Sequence, residues 1–492
     1  MNNDRRTFLK TVASSVLAPA ALGPLGIAQS SPEMREPDSA VSPRPNVVLM
    51  ICDDLGFGDI GCYGSAIPTP NLDRLAAEGT RCMHYNSAHP ICSASRAALL
   101  TGRYAPRSHT PGALFPHATI AMAKSEQTLG NLFMDAGYQT HMIGKWHLGD
   151  EPGYRPTERG FDTYFGVPYS DDMQPLPLMR DTTILENDAD RDELTPRYTA
   201  EAVKRIEQAG DRPFYLHCAY SYPHDPARGS KAFKGKSQFG DVGDSIEEID
   251  WSAGKILEAL ERTAKAGNTV VIFTSDHGPW FQGSPGKMRG RKGSTFEGGV
   301  RVPCIIRWPG HIQPATINNE WIGHLNVLPT LADWCGLQLP RLPIDGFNAS
   351  ATLLKGDTAP AKPVLYFTPV GNNTVHCIRS GPWKLRVAQS DGQIYINDRP
   401  GSSTNYRLPK PELYNLEADP GESYDVAKKY PELVRQLLEQ LEQAIPTFPA
   451  EVQQAYAALQ KNVASVVTPP GAAPRVLTGP LPAWAWEPDD RR

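Results

Sequence analysis

The stretch Pro45-Asn46-Val47-Val48-Leu49-Met50-Ile51-Cys52-Asp53-Asp54 is a continuous apolar run of strand length that ends in two aspartates. Three further runs share this form, an apolar stretch followed at once by polar residues: 138–143, 214–219 and 269–274. Continuous rather than alternating apolar strands are typical of a sheet covered on both faces. Helical patterns lie between the runs, at 71–79 and 246–260. The sequence therefore predicts an α/β fold in which helices sandwich a large mixed, mostly parallel sheet.

The polar residues that follow these four runs are expected at one edge of the sheet, because open α/β sheets place their sites at the carboxyl ends of the strands. They are Asp53, Asp54, Lys145, His147, His224, Asp276 and His277. One Asp-Asp pair alone would be a weak indication, since such pairs often cap helices or make turns. Several polar clusters in the same topological position indicate a functional site.

Three of these residues, Asp53, Asp54 and Asp276, suggest a metal site. Aspartates gathered in one pocket would repel one another and resist ionisation unless a cation joined them. Hard oxygen ligands suit calcium or magnesium rather than zinc. The residue pattern leaves metal binding and structural capping as two open readings, and it does not choose calcium over magnesium.

The composition excludes several classes of protein. The chain has 492 residues, 40% hydrophobic and 21% charged, which is ordinary for a globular protein with one large and one smaller domain. The net charge of −5 gives no reason to expect nucleic acid or an anionic membrane as a partner. Eight cysteines are too few for a disulfide scaffold. Cys52, Cys218 and Cys304 lie in apolar runs and are expected to be small buried hydrophobes. Disulfide pairing and oligomeric state stay open.

The N-terminal residues 1–28 resemble a twin-arginine signal peptide. Arg5-Arg6 is followed by a weakly apolar stretch at 11–25 and by Gly26-Ile27-Ala28, which offers small residues for cleavage. No cysteine follows to carry a lipid, and 29–44 reads as a flexible linker. We therefore expect a periplasmic or secreted protein that is exported by the twin-arginine machinery and has no stable membrane anchor. A short anchor or a disordered start is the alternative.

The segment Cys92-Ser93-Ala94-Ser95-Arg96, followed by Leu99-Leu100-Thr101-Gly102-Arg103, resembles the signature of the type I sulfatases, which are formylglycine-dependent, arylsulfatase-like members of the alkaline phosphatase superfamily. Blocks at 53–56, 144–149, 275–278 and 292–303 agree in order and spacing, and the resemblance runs from about 46 to about 429. Ala94 stands where proline is commoner, which leaves open which maturation enzyme acts. His324 and Asn326 stand where relatives often carry aspartate, and no catalytic role is attached to either.

The resemblance implies that Cys92 is oxidised by a formylglycine-generating maturation enzyme to formylglycine (3-oxoalanine), whose hydrate has two hydroxyls. One hydroxyl becomes esterified with sulfate. Deprotonation of the other hydroxyl then re-forms the aldehyde and expels the sulfate. The alternative for Cys92 is a buried structural thiol. The implied ligands of one Ca²⁺ are residue 92, Asp53, Asp54, Asp276 and His277, although many relatives carry asparagine in place of His277.

The remaining site residues receive roles from the same resemblance. Arg96 and Lys145 would orient the diol and the sulfate, and His147 would be the base that collapses the sulfated diol. His224 and Lys292 would bind sulfate and assist the leaving group as acids. For Lys292 a solvated side chain is the alternative reading.

The predicted organisation is a catalytic domain over 45–362, a small C-terminal subdomain over 363–467 built of an antiparallel sheet and a helix at 431–444, and an irregular tail over 468–492. The predicted function is hydrolysis of an aryl sulfate or a sulfated carbohydrate, with release of inorganic sulfate. A phosphodiester or phosphonate monoester hydrolase with the same nucleophile is the alternative. A non-catalytic binding protein is disfavoured because no proposed catalytic position is lost. The loop at 168–183 is placed to shape the pocket, but the sequence does not identify the substrate.

The order of maturation and export can be tested. A thiol at the floor of a pocket would be out of reach once the domain has folded, and the twin-arginine route exports folded proteins. Arg5→Lys with Arg6→Lys is therefore expected to leave active enzyme in the cytoplasm with an aldehyde at position 92, measured by peptide mass analysis of cell fractions. Unmodified Cys92 in the stranded protein, beside an aldehyde in exported wild type, would contradict this order.

Overall fold

The computed structural model describes residues 44–118, 120–368, 373–390, 404–463 and 475–476. The predicted signal peptide lies outside these residues, as do the predicted linker except for Arg44 and most of the C-terminal tail. In the part of the chain that is described, no helix has both the length and the apolar character needed to cross a bilayer.

Strands and helices alternate through most of the chain. The strands are β1 Asn46–Cys52, β2 Thr80–Cys82, β3 Tyr85–Asn86, β4 Gln139–Gly144, β5 Thr163–Gly166, β6 Leu178–Arg180, β7 Thr183–Glu186, β8 Phe214–Ala219, β9 Thr269–Ser275, β10 Cys304–Arg307, β11 Thr316–Asn318, β12 Ile322–Gly323, β13 Val364–Phe367, β14 Val375–Ser380, β15 Trp383–Ser390, β16 Asn405–Asn415, β17 Tyr424–Asp425 and β18 Arg475–Val476. The helices are α1 Pro70–Ala77, α2 Cys92–Thr101, α3 Leu129–Asp135, α4 Leu194–Gln208, α5 Gly240–Arg262, α6 Glu297–Val300, α7 His324–Cys335, α8 Ser350–Lys355, α9 Pro431–Ala444 and α10 Ala450–Lys461.

Ten strands form the main sheet, in the order β11-β2-β10-β9-β1-β8-β4-β5-β6-β7. The central strands β9, β1, β8, β4 and β5 are all parallel to their neighbours in this group. Antiparallel pairings lie toward the two ends, at β10 and at the β5-β6-β7 meander. The predicted mixed, mostly parallel sheet is confirmed.

The sheet is covered on both faces, and its central strands place apolar side chains on both sides. All seven residues of β1 are buried, and successive side chains point to opposite faces. Val47, Leu49 and Ile51 join one core with α2, α3 and α7, while Val48 and Met50 join the other with α1, α4 and α5. The continuous apolar pattern of the sequence thus reflects two cores that share one layer of strands.

A second sheet forms in the C-terminal region. Its strands β13-β14-β15-β16 are antiparallel, and α9 packs on it through Leu437 and Leu441. This confirms the predicted antiparallel sheet with a helix, and α9 has the predicted bounds. β16 runs from Asn405 to Asn415, and α10 is a helix that the sequence pattern does not predict. In the tail, residues 475–476 pair with β17.

One helix begins earlier than expected. The helical pattern predicts residues 95–100, whereas α2 starts at Cys92 itself. The Ser95 amide donates to the Ile91 carbonyl at 2.8 Å, which makes the first helical hydrogen bond. Ile91 provides no side-chain cap, so the usual sequence signal for a helix start is missing.

Candidate active site

Four neighbouring strands, β9, β1, β8 and β4, end level with one another at one edge of the main sheet. The backbone stays fixed just beyond two of these ends, because the amides of Asp276 and Lys145 donate to the last carbonyls of the adjacent strands at 3.0 and 2.9 Å. The polar residues that the sequence places after these strands are all buried there. The polar residues therefore lie at one edge of the sheet, as expected.

The three aspartates lie close together. Ligand atoms of Asp53, Asp54, Asp276 and His277 are all within 4.8 Å of one another. The amides of Asp54 and His277 both donate to Asp276 Oδ1, at 3.2 and 2.9 Å. Asp54 has a φ of 65°, a left-handed conformation that L residues with side chains rarely adopt and that clusters at functional sites.

Each carboxylate has a basic partner. Lys145 Nζ donates to Asp53 Oδ2. Arg96 Nη2 is 2.9 Å from Asp276 Oδ2. Lys292 Nζ is 2.8 Å from Asp54 Oδ1. These ion pairs are buried, so removal of one partner would leave a charge with little solvation.

The pKa values of the carboxylates reflect burial and these partners. Burial raises the pKa of Asp54 to about 6 despite Lys292, and it also raises the pKa of Asp276. Burial opposes ionisation of Asp53 as well, but Lys145 holds the pKa of Asp53 well below its usual range. Additional positive charge at this site would favour the ionised forms of Asp54 and Asp276.

The donor set fits a hard divalent cation. Asp53 Oδ1 and His277 Nε2 are buried atoms without a hydrogen-bond partner, so both can coordinate. His277 Nε2 is 3.5 Å from Asp54 Oδ1 and 3.6 Å from Asp276 Oδ1. The carboxylate oxygens suit calcium or magnesium, whereas the imidazole nitrogen of His277 is a softer donor. Asp53, Cys92 and His277 form a second, overlapping group of potential ligands.

Cys92 faces this cluster from the first position of α2 and is only 3% exposed. Burial alone would raise the pKa of the thiol, but His147 and then Lys145 hold it well below its usual range. The partial positive charge of a helix N-terminus acts in the same direction. The imidazoles of His147 and His277 both lie beside the Cys92 side chain.

His147 is held in one tautomer by its neighbour. Its Nε2 is 2.8 Å from the Leu114 carbonyl, which can only accept, so Nε2 carries a proton in either charge state of the ring and Nδ1 is the nitrogen that can gain or lose one. The Leu114 amide in turn donates to Ser93 Oγ at 3.0 Å. The residue after Cys92 thus helps to orient the imidazole that lies beside Cys92.

Lys292 reaches the site from a glycine-rich loop. Its amide donates to the Pro279 carbonyl at 2.9 Å, and the Gly293 amide donates to the Pro90 carbonyl at 2.8 Å. Gly293 has a φ of 83°, which favours glycine at this turn. Lys292 is thus a site-facing residue rather than a solvated one.

His224 is also buried, and it lies near Lys145. Burial and then Lys292 lower the pKa of His224 well below its usual value. Its Nε2 is 3.5 Å from Ser170 Oγ, and its Nδ1 is 3.2 Å from Asp171 Oδ1. Lys145 Nζ donates to the same Ser170 Oγ at 2.9 Å.

Ser170 and Asp171 are site residues that the sequence pattern did not indicate. Both follow β5, and the available signal was a pair of polar residues after a strand in the loop singled out only as pocket-shaping. His324 supports the site from behind, since its Nδ1 is 3.0 Å from Ser95 Oγ and its Nε2 is 3.1 Å from the Ser275 carbonyl. Asn326 caps α7 through the Gly323 amide.

A groove of about 800 Å³ lies between the 280–296 loop and strands β14 to β16. Lys292 lines it, so the groove borders the residues around Asp54. Phe281 is 54% exposed beside it. The described lining has one carboxylate, Glu412, and five basic side chains: Lys287, Arg289, Arg291, Lys292 and Arg386.

Comparisons with known proteins agree with this geometry. A family model described as Sulfatase matches residues 45–337, and one described as the C-terminal region of aryl-sulfatase matches residues 360–475. Arylsulfatase A from Homo sapiens is 34% identical over 487 residues, covering 89% of this chain and 95% of the relative. N-acetylgalactosamine-6-sulfatase from Homo sapiens is 35% identical, covering 78% of this chain and 81% of the relative.

Solved structures are similar over the same extent. A sulfatase from Pseudoalteromonas sp. superposes with a TM-score of 0.74 at 28% identity, covering 84% of this chain and 91% of that chain. A Bacteroides thetaiotaomicron protein connected with the metabolism of multiple glycosaminoglycans also has a TM-score of 0.74, at 27% identity, covering 82% of this chain and 99% of that chain.

The buried ion pairs predict a stability effect. Lys145→Met would remove the short ion pair of the buried Asp53 and leave Arg96, at 3.6 Å, as its remaining ion-pair contact among the described residues. In the presence of EDTA we expect the free energy of unfolding to fall by about 3–5 kcal/mol, measured by urea denaturation. Lys204→Met is the control, since Lys204 is 49% exposed and pairs with Glu201 at 3.9 Å; its effect should stay below about 1 kcal/mol. Equal effects of the two variants would contradict the buried pairing.

Proposed function

Because this chain belongs to the sulfatase family and is a sulfuric ester hydrolase, we propose that it cleaves sulfate esters with a nucleophile made from Cys92 and releases inorganic sulfate. The observation that supports this is the position of Cys92, at the first turn of α2 and within ligand distance of Asp53 and His277. Formylglycine at this position would supply a hydrated aldehyde with one hydroxyl to attack sulfur and a second to release the product.

We propose that Asp53, Asp54, Asp276 and His277 hold one Ca²⁺ together with residue 92. The ion would polarise a sulfate oxygen and favour the ionised form of the nucleophile. The unpartnered Asp53 Oδ1 and His277 Nε2 support this assignment, as does the raised pKa of Asp54. His277 completes a set that is otherwise made of oxygen donors.

His147 is proposed as the base. The Leu114 carbonyl occupies its Nε2, so Nδ1 is the atom that can take a proton from residue 92. Arg96 and Lys145 flank the same position through Asp276 and Asp53. They would bind sulfate oxygens by charge-assisted hydrogen bonds and would stabilise the charge that develops on them.

His224 and Lys292 are proposed to bind sulfate and to act on the leaving group. His224 is 7% exposed and Lys292 is 8% exposed, more than Asp53, Lys145 or Asp276. They are therefore placed toward the solvent-facing opening of the site, where the organic part of an ester would lie. A proton given to the departing oxygen would lower the barrier most for poor leaving groups.

Between aryl sulfates and sulfated carbohydrates, the groove favours carbohydrates. Five basic side chains and the exposed Phe281 suit an extended anionic sugar chain, since aromatic side chains offer apolar contact and basic ones bind anions. The names of two similar proteins, N-acetylgalactosamine-6-sulfatase and the glycosaminoglycan-related Bacteroides thetaiotaomicron protein, point the same way.

Maturation and export complete the proposal. A formylglycine-generating enzyme would modify Cys92 before folding, since the residue is 3% exposed in the folded chain. Twin-arginine export would then deliver the folded enzyme to the periplasm or beyond, as the residues around Arg5-Arg6 suggest.

The reaction class is tested with matched esters. We expect kcat/KM for 4-nitrophenyl sulfate to exceed that for 4-nitrophenyl phosphate and bis-4-nitrophenyl phosphate by at least about 100-fold. Cys92→Ala should lower sulfate hydrolysis by at least about 10⁴-fold, because it removes the nucleophile. Cys62→Ala, at a half-buried cysteine, is the control and should keep activity. Faster phosphate turnover, or full activity with unmodified Cys92 by mass analysis, would contradict the proposal.

The metal is tested by elemental analysis of purified protein. Wild type should hold about one calcium per chain, and Asp53→Ala or Asp276→Ala should lose it together with at least about 100-fold in activity. Asp211→Ala, at an exposed aspartate, should retain both. Stoichiometric zinc, with calcium absent and without effect on rate, would contradict the assignment.

A further inference from the structure

Asp171 is a buried acid that the proposed roles leave unexplained. It is 1% exposed, and neither carboxylate oxygen has a hydrogen-bond partner. His224 Nδ1 lies 3.2 Å from Asp171 Oδ1, but the two atoms do not form a hydrogen bond. Burying an acid without hydrogen bonds lowers the stability of the fold. Because Asp171 lies beside His224, a proposed acid of the reaction, a functional role would account for its burial.

The two residues are held together by a shared support. Arg191 Nε donates to the Asp171 carbonyl at 2.8 Å. The hydroxyl of Tyr222, two residues before His224, donates to the Arg191 carbonyl at 2.8 Å. Arg191 therefore fixes the backbone at Asp171 and the segment that carries His224 at the same time.

The imidazole of His224 has distinct neighbours at its two nitrogens. Nδ1 faces Asp171, and Nε2 lies 3.5 Å from Ser170 Oγ, the hydroxyl that Lys145 also contacts. A partner at Nδ1 selects the state of the other nitrogen, so Asp171 decides whether Nε2 can donate a proton toward the site.

We propose that Asp171 is a positioning residue that engages Nδ1 of His224, so that Nε2 carries a proton directed at the leaving-group oxygen of the sulfate ester. This inference rests on the proposed function, and it adds a residue that acts through His224. Burial raises the pKa of Asp171, and burial followed by Lys292 lowers the pKa of His224. Both shifts favour a pair without net charge.

The proton balance is simple. The neutral pair holds two protons, one between Oδ1 and Nδ1 and one on Nε2. When the bond between sulfur and the bridging oxygen breaks, the oxygen keeps the electron pair and takes the Nε2 proton, and the sulfuryl group passes to the nucleophile. The pair is left with one negative charge, which nearby Lys145 and Lys292 would stabilise, until water returns a proton.

The test uses aryl sulfates whose leaving groups range from 4-nitrophenol to phenol. Asp171→Asn keeps the side-chain volume but cannot supply the proton or the charge. We expect it to lower kcat/KM less than about 5-fold for 4-nitrophenyl sulfate and about 100-fold for phenyl sulfate. The plot of log kcat/KM against leaving-group pKa should become steeper, which a merely structural role would not cause. Turnover of the nitrophenyl ester shows that the variant is folded.

Two further variants isolate the effect. Asp172→Asn removes the neighbouring acid, which is exposed, and should leave the slope unchanged. For His224→Gln, the plot of log kcat/KM against leaving-group pKa should already be steeper than for wild type. Adding Asp171→Asn to this variant should change kcat/KM by less than about 2-fold. A uniform loss across the series with Asp171→Asn, in an active wild type, would overturn this inference alone. A wild type inactive toward this series and toward sulfated sugars as well would overturn the proposed function and this inference with it.

Discussion

The buried charges at the carboxyl edge of the main sheet are the constraint on which the site depends. Asp53, Asp54 and Asp276 are each at most 2% exposed and lie within a few ångströms of one another. Such a group survives in a folded protein only when each charge is compensated. Lys145, Arg96 and Lys292 supply part of that compensation, and the donor atoms left over suit a hard cation. The same compensation holds the proposed nucleophile, base and sulfate-binding groups together.

The C-terminal sheet takes part in this arrangement through a second set of buried charges. Lys384 on β15 lies 3.0 Å from Glu297 and 3.1 Å from Glu422, and all three side chains are inaccessible to solvent. Glu297 begins α6, directly after the loop that carries Lys292. Loss of one partner would leave a buried charge uncompensated. The small sheet therefore does more than cover the main domain, since it anchors the loop that brings Lys292 to Asp54 and forms one wall of the basic groove.

The sequence predicted which residues form the site better than it predicted the contacts between them. Strand ends gave Asp53, Asp54, Lys145, Asp276 and His277, because parallel strands of a doubly covered sheet must bring their carboxyl ends to one edge. Ser170 and Asp171 were missed because they follow β5, a short strand of only four residues whose apolar signal is weak. The start of α2 at Cys92 was missed because no capping side chain marks it. Local patterns carry no information on contacts such as that between Leu114 and His147, which are 33 residues apart.

By itself, the sequence determined the class of fold, the edge at which the polar residues meet and, through its resemblance to sulfatases, the residue expected to become the nucleophile. These follow from periodicity and local motifs, which are properties of neighbouring residues. Only the tertiary structure decided which base pairs with which acid, which nitrogen of His147 is occupied, and that Asp171 lies against His224. Those choices depend on distances between segments far apart in the chain, and burial makes them matter, because a charge or a proton in a low-dielectric pocket is governed by the few groups that touch it.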